Sequence, residues 1–564
     1  MLRSCPRGRN FASIRIYRRR STMTSESENG GVTLIKRIEW IVAIMLSAVV
    51  LFLLVVRTTH AGALWRDECD SVQLARMPRI ADVLGNLQYT AFPVLFPAIV
   101  RAYTSALGTS DIALRSFGLI VGMAFIAAAW FQSRQLHGQV PLLLPALVGL
   151  NVNFLTCGTW VRGYGIGSVL LVLAFALTAK FIQQPNRRGF ELMFLAWLIS
   201  MQCLFFNGAL IPAIILAAAC VLLIRREWKW TVVLLCGAIV CGASYAPYIL
   251  KVFSKTSEWA IILQMPASFD FLWQQFLLAC GGPYSAARWI WLGSILLVVV
   301  GAAWRVTAVW KCQRPRERDT LLFGLVTIVA CVAASYLFFR LLRSIVHLRY
   351  YLALVCLLAA AADLIVANLA RFHLVRVIRV LLVAVAIFAL PFAAWPKIIQ
   401  RQTNIDLIAR MLEKEAGPRD LVVIDPWAMG ISFHWYYHGR TPWVTVPTMD
   451  EHRLHRYDLL KEKMMALAPL EDVEQAISGT IKSGNRVWLV GYRGTRGMRA
   501  GLSPSPAPDP EFGWQFRVYG AAWSQQLATF VREHAVHLRL VAARIEFVSN
   551  AENLPTWVAD GWYE

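Results

Sequence analysis

Acidic residues are scarce in this 564-residue chain, with 34 Asp and Glu against 56 Lys and Arg, a formal net charge of +22. Charged residues of both signs amount to only 16%, and much of the basic excess sits in short loops beside apolar segments, where it sets membrane topology; this argues against a nucleic-acid partner. Cysteine supplies no scaffold. The eleven present are an odd number, most lie in apolar segments and none follows residue 397, which excludes a disulfide framework. Cys69 and Cys280 are left as a pair that topology puts on one side. No glycine fingerprint for phosphates or dinucleotides accompanies LVVIDPWAMG (421–430), so nucleotide binding lacks support. No clear internal repeat is visible, which counts against repeat-built transporters.

Apolar residues dominate instead, at 57% with 22 Trp. Repeated apolar runs of about 17 to 21 residues match the thickness of a bilayer core. The chain therefore reads as a polytopic α-helical membrane protein with about eleven spans: 38–56, 114–131, 141–157, 165–182, 190–206, 209–224, 230–250, 289–309, 320–339, 350–370 and 378–395. Residues 1–37, rich in Arg and Ser, read as a basic, disordered cytoplasmic tail or a transit-like segment, with Met23 an alternative start. Basic loops at Arg187–Arg188, Arg225–Lys229, Lys311–Arg318 and Arg371–Arg379 belong on the cytoplasmic side of a plasma (inner) membrane. Counting back from them leaves 57–113 as one outer loop. Phe92–Leu107 then lies in the outer interface, its prolines near helix starts and its apolar face in lipid. The transmembrane region is 38–395. Residues 396–564 form an outer, small α/β soluble domain, with strands at 421–425, 441–447 and 485–492 and helices near 404–415, 471–483 and 523–537.

The chemistry-bearing residues fall on the outer side. Asp67 and Glu68, in WRDECD, stand about ten residues past the first span, where lower polarity raises a carboxylate's pKa and makes it a better base. Helix capping is the alternative for such a pair. Arg162 and Tyr164, in TWVRGYGIG, begin the fourth span; Gly163, Gly165 and Gly167 open space beside a guanidinium suited to gripping phosphate, and snorkelling is the alternative. His347, Arg349, Tyr350 and Tyr351, with Arg340 and Arg343 behind them, oppose the positive-inside preference and so suggest an anionic ligand or anchoring to lipid headgroups. Arg115 poses the same choice. FHWYYHG (433–439) offers an aromatic surface for sugar or a piece of core; no third ligand accompanies His434 and His438, so no metal site is assigned and a divalent metal is left open.

WRDE (65–68), FPVLFPAIVRAYTSALGTSDIALRSFGLIVG (92–122), VRGYGIG (161–167) and RYYLAL (349–354), in that order and spacing, resemble the GT-C glycosyltransferases. The resemblance is to the branch holding protein O-mannosyltransferases, aminoarabinose transferases of lipid A and lipopolysaccharide-modifying transferases. It implies a membrane glycosyltransferase moving a hexose or pentose, with inversion, from a polyprenyl-phosphate donor to a lipid, glycan or protein acceptor on the outer, periplasmic face. Asp67 would be base or acceptor ligand, with Glu68 in support, while Arg162, Tyr164, His347 and Arg349 hold the donor phosphate. Two positions depart from the family pattern: Phe92 stands in a His-Pro-Pro-Leu-like stretch where a polar residue is usual, and Ser71 where some branches carry a phosphate-binding arginine. The competing classes are a transporter or flippase of lipid-linked glycans and a noncatalytic scaffold.

Overall fold

The computed structural model describes residues 11–265, 267–282, 285–311, 315–492 and 502–563. Among them, nine helices are long and apolar enough to cross a membrane: Leu34–His60, Asp111–Gln135, Gly163–Gln183, Asn207–Ile224, Trp228–Leu263, Ala286–Ala308, Pro315–Leu342, Leu348–Leu369 and His373–Ile398. The chain is a polytopic helical membrane protein carrying a small sheet domain. Two expected spans take other forms. Phe190–Phe206 lies largely in a 15-residue helix, Arg187–Met201. The stretch 141–157 is interrupted at Leu150, between a π turn, Pro145–Gly149, and a short helix, Val152–Cys157. Side chains satisfy its buried backbone: Asp363 Oδ1 accepts from Leu143 N and Asn151 Oδ1 from Asn153 N, both at 2.8 Å, while the Asn151 amide also donates to the carbonyls of Ala279 and Cys280. A broken helix at membrane depth persists only with such partners. Asp363, an acid inside the Leu348–Leu369 span, is thereby engaged in structure, accepting also from Ser133 Oγ. Cys69 and Cys280 are both buried free thiols and do not pair.

The basic loops gather at one end. Arg376 and Arg379 hold Glu39 at 2.5 and 2.6 Å, Arg225 holds Asp319 at 2.5 Å, and Arg305 holds Glu317 at 2.8 Å. Asp67, Arg162 and Arg349 lie at the opposite helix ends.

Between the first two spans, the helix Arg66–Ala75 is buried almost throughout. Helix Leu95–Leu107 packs on it, burying Phe96 and Val100 against protein where a lipid-facing surface was expected. Arg101 secures the pair, donating to the carbonyls of Ala75 and Met77 at 3.1 and 2.7 Å, at the negative end of the Arg66–Ala75 helix.

The soluble domain is a five-stranded sheet of order β2-β1-β3-β5-β4, with β1 Leu421–Ile424, β2 Trp443–Thr445, β3 Val487–Val490, β4 Ala535–Ala542 and β5 Thr556–Trp562. β1 runs parallel to β2 and β3, registering Val422 with Trp443 and Leu421 with Val487; β5 and β4 complete the sheet antiparallel. The helix expected at 523–537 is Phe516–His534, and the chain then turns directly into β4. This domain is clamped onto the Arg66–Ala75 helix. Glu552 Oε2 accepts from Arg66 N at 3.1 Å, Asp70 Oδ1 accepts from His455 N at 3.1 Å, and Tyr436 Oη donates to Asp111 Oδ1 at 2.6 Å while accepting from Leu64 N at 2.7 Å.

Candidate active site

The acidic pair divides at once into two roles. Glu68 is fully buried, its carboxylate accepting from Arg115 Nη1 at 2.8 and 3.0 Å, from Val161 N at 2.9 Å and from Trp65 N at 3.4 Å. It caps its own helix and pins the loop that precedes Arg162, and it does not line the cavity beside Asp67. Arg115 is spent on Glu68 and on the carbonyls of Gly62 and Ala63, at 2.8 and 2.6 Å.

Asp67 faces the cavity and collects cations. Arg349 Nη2 lies 3.4 Å from Oδ2, while Arg66 Nε and His455 Nε2 lie 3.4 and 3.5 Å from Oδ1. Arg162 Nη1 donates to the Asp67 carbonyl at 2.6 Å, to Ser71 Oγ at 3.1 Å and to Asp70 Oδ2 at 3.3 Å. Burial pushes the Asp67 carboxyl up, but Arg349, Arg162, His455 and Arg66 together outweigh it and hold the group well below the usual carboxylate range. The expected rise in basicity is therefore reversed, because segments distant in sequence deliver positive charge to it.

The arginines are held by aromatic rings. Arg162 lies over Phe92 at 4.8 Å, and Phe92 meets Tyr164 edge-on at 5.1 Å. Phe92, at the position that departs from the family pattern, is thus the platform of the phosphate-gripping candidate. At Ser71, where an arginine was sought, the hydroxyl instead accepts from Arg162 Nη1 at 3.1 Å. Arg349 rests over Trp65 at 5.7 Å and Tyr350 at 5.4 Å. Its Nε and the Tyr164 hydroxyl are buried without a partner among the described residues. Gly163, Gly165 and Gly167 do not make ligand space: side chains there would strike Phe92, the Gly158 carbonyl and Leu204, so these glycines permit close helix packing.

His347 lines the same cavity, yet burial and then the charge of Arg349 push its imidazole down to about 3. It is neutral near pH 7 and offers a hydrogen bond to an anion without adding charge. Arg340 turns away to the Ala267 carbonyl at 2.7 Å. In 433–439, Phe433 and Tyr437 stack within the domain core at 4.7 Å, and Trp435 and Tyr436 pack on the transmembrane core. His434 and His438 border a separate 610 Å³ cleft. Among the described residues, no three His, Cys, Asp or Glu groups cluster to hold a metal. The cations around Asp67 and Asp70 also make a poor seat for a divalent ion.

The cavity beside Asp67 has a volume of about 1410 Å³. Arg66, Asp67, Asp70, Arg162, His347 and Arg349 form its polar end. Phe205, Phe206, Phe338, Phe339 and Leu341 form an apolar side, with Leu341 73% exposed. The soluble domain closes the top with Trp427, His455, Tyr457 and Arg517. His455 and Arg517 escaped the sequence reading, since residues roughly 390 and 450 positions from Asp67 carry no local signal of proximity; His455 and Arg456 beside Asp458 offered at most a charged cluster.

No family model matches the chain, and no curated protein matches its sequence. Solved structures similar to it include ArnT from Cupriavidus metallidurans bound to undecaprenyl phosphate, at 12% identity and a TM-score of 0.49, covering 92% of this chain and 98% of that one. The apo state of the same ArnT shares 13% identity at a TM-score of 0.48 over 80% and 92% of the two chains. The archaeal oligosaccharyltransferase AglB from Archaeoglobus fulgidus, in complex with an inhibitory peptide and a dolichol-phosphate, shares 10% identity at a TM-score of 0.47 over 93% and 74%.

Proposed function

We propose that this chain is an integral membrane glycosyltransferase that takes its sugar from a polyprenyl-phosphate donor. One observation carries the reading: Asp67, Arg162 and Arg349, from segments far apart in sequence, converge at the polar end of a cavity whose other side is lined by Phe205, Phe206, Phe338 and Phe339. That pairing of cations with an apolar slot matches the two halves of a lipid phosphate. The resemblance read from the sequence names the same donor class.

The donor phosphate diester, with one negative charge, lies against Arg349 and Arg162, with His347 and Tyr164 donating hydrogen bonds. Its isoprenoid chain follows Phe205, Phe206, Phe338 and Phe339. An acceptor hydroxyl attacks the anomeric carbon, the bond from that carbon to the phosphate oxygen breaks, and its electron pair stays on the phosphate. The leaving monoester carries a second negative charge, which fixed guanidinium groups stabilise without reorganisation. The acceptor's proton passes to Asp67. An anion seated on Arg349 offsets the pull of the arginines, so Asp67 is more basic with donor bound than without. The outer-face orientation and the inner membrane location belong to this proposal.

The test uses the protein in lipid nanodiscs with tritiated undecaprenyl phosphate. Saturable binding is expected, weakened at least about tenfold in Arg349→Ala and less in Arg349→Lys, which keeps charge but loses the planar fork. Asp67→Asn should bind the phosphate as tightly as the parent or more so, yet transfer no sugar from a panel of undecaprenyl-phosphate pentoses and hexoses. Unchanged binding in Arg349→Ala overturns the assignment.

A further inference from the structure

A proton delivered to Asp67 has to leave it before a second turnover. Among the described residues, the ion-pair partners of the Asp67 carboxylate are Arg66, Arg349 and His455. Guanidinium groups keep their protons in proteins, whereas a neutral imidazole nitrogen accepts one. Of these partners, only His455 can relieve Asp67 of a proton.

The His455 ring is set for that exchange. Its Nε2 lies 3.5 Å from Asp67 Oδ1 and its Nδ1 lies 3.3 Å from Asp70 Oδ1, so one ring spans two carboxylates of helix Arg66–Ala75. Asp70 is itself buried and fixed: Oδ1 also accepts from the His455 main-chain N at 3.1 Å, and Oδ2 accepts from Arg162 Nη1 at 3.3 Å. A carboxylate so engaged is an acceptor. The Nδ1 hydrogen therefore points at Asp70, and Nε2 is the nitrogen that exchanges a proton with Asp67.

The ring is also held in place. Tyr457 stacks with the imidazole at 5.8 Å and with Trp259 at 5.3 Å, Trp427 meets the imidazole edge-on at 6.2 Å, and Gln73 Nε2 donates to the Arg453 carbonyl at 3.2 Å. Arg66, Arg162 and Arg349 stay cationic, and burial pushes the Tyr457 hydroxyl up to about 12, so none of these neighbours trades protons with the trio near pH 7. A histidine that only fastened the soluble domain would be served by its main-chain bond to Asp70. A ring with one nitrogen on each carboxylate fits a relay.

We propose that His455, oriented by Asp70, takes the acceptor's proton from Asp67 and so returns Asp67 to its ionised form in each turnover. The proposal rests on the donor reading above. The acceptor's O–H bond breaks as its oxygen bonds to the anomeric carbon, and the proton lands on the Asp67 carboxylate. It then crosses to Nε2, and the imidazolium gives it to water as products leave. His455 acts through Asp67 and is a positioning residue in this scheme.

The test uses the full chain in nanodiscs, with undecaprenyl-phosphate pentoses and hexoses as donors and a lipid and glycan extract of the source membranes as acceptor. His455→Ala should lower the turnover rate at saturating donor at least about tenfold, with undecaprenyl phosphate binding within about threefold of the parent. His455→Gln retains hydrogen bonding but takes no proton, and it should be as slow. Free imidazoles added to His455→Ala should restore the rate, more strongly the more basic the imidazole, which a ring that merely fills space would not show. A parent-like rate in either variant overturns the proposal, and so does rescue independent of basicity. Failure of the donor reading shows up separately, as a parent that binds no undecaprenyl phosphate.

Discussion

Removing the two neighbouring carboxylates one at a time should separate a structural group from a reacting one. Glu68→Ala leaves the guanidinium of Arg115, whose side chain is 6% exposed, without its counterion and with only the carbonyls of Gly62 and Ala63. It also strands the Val161 N–H that the carboxylate accepts at 2.9 Å. Breaking a buried pair from one side costs about 3–5 kcal/mol. Glu68→Gln retains one oxygen for Val161 but loses the charge, at about 1.5–3 kcal/mol. Asp67→Asn differs because its side-chain contacts are longer, at 3.4 and 3.5 Å, and Arg162 keeps its bonds to the Asp67 carbonyl, Ser71 and Asp70. Its cost should be smaller than that of Glu68→Ala, since no main-chain N–H loses its acceptor. Thermal unfolding in nanodiscs, followed by tryptophan emission and paired with the transfer assay, reads both quantities. A Glu68→Ala protein as stable as the parent, or an Asp67→Asn protein destabilised as strongly as Glu68→Ala, would refute the division of roles.

Phe92 is fully buried beneath Arg162, so Phe92→Leu should retain the fold but lose a cation–π contact of about 0.5–2 kcal/mol; undecaprenyl phosphate binding is expected to weaken several-fold, and unchanged binding would remove Phe92 from the site. Glu552 is buried where it caps the Arg66–Ala75 helix, accepting also from Ser432 Oγ, and burial pushes its carboxyl up to about 7 despite the nearby Arg66. The protonated form is therefore the one folding favours, so its contribution is complete below the ordinary carboxylate range and is lost as pH rises toward 7. That change is on the order of 3 kcal/mol, and Glu552→Gln should flatten it in unfolding measured from pH 4.5 to 8; an unaltered pH profile in the variant would assign the slope elsewhere.

Hydropathy and charge carried much of the architecture. The spans are legible because a bilayer demands long apolar helices, nine of which stand among the described residues. Irregular 141–157 was less legible, since its apolar run gives no sign that Asp363 and the Asn151 carbonyl oxygen accept from the Leu143 and Asn153 main-chain N–H groups. β4 and β5, though longer, were missed because β4 is largely exposed and follows a helix without a break, whereas the fully buried apolar runs of β1 and β3 stand out.

The site divides the same way. Residue type and position within the membrane plan, which act locally, singled out Asp67, Arg162, Tyr164, His347 and Arg349, and all five line one cavity. Separating Asp67 from Glu68, depressing Asp67 with arginines, neutralising His347 by burial and bringing His455 and Trp427 over the top depend on contacts between segments hundreds of residues apart. A protonation state or a counterion is set by whatever charge lies within a few ångströms in space, and only the tertiary structure decides which charge that is.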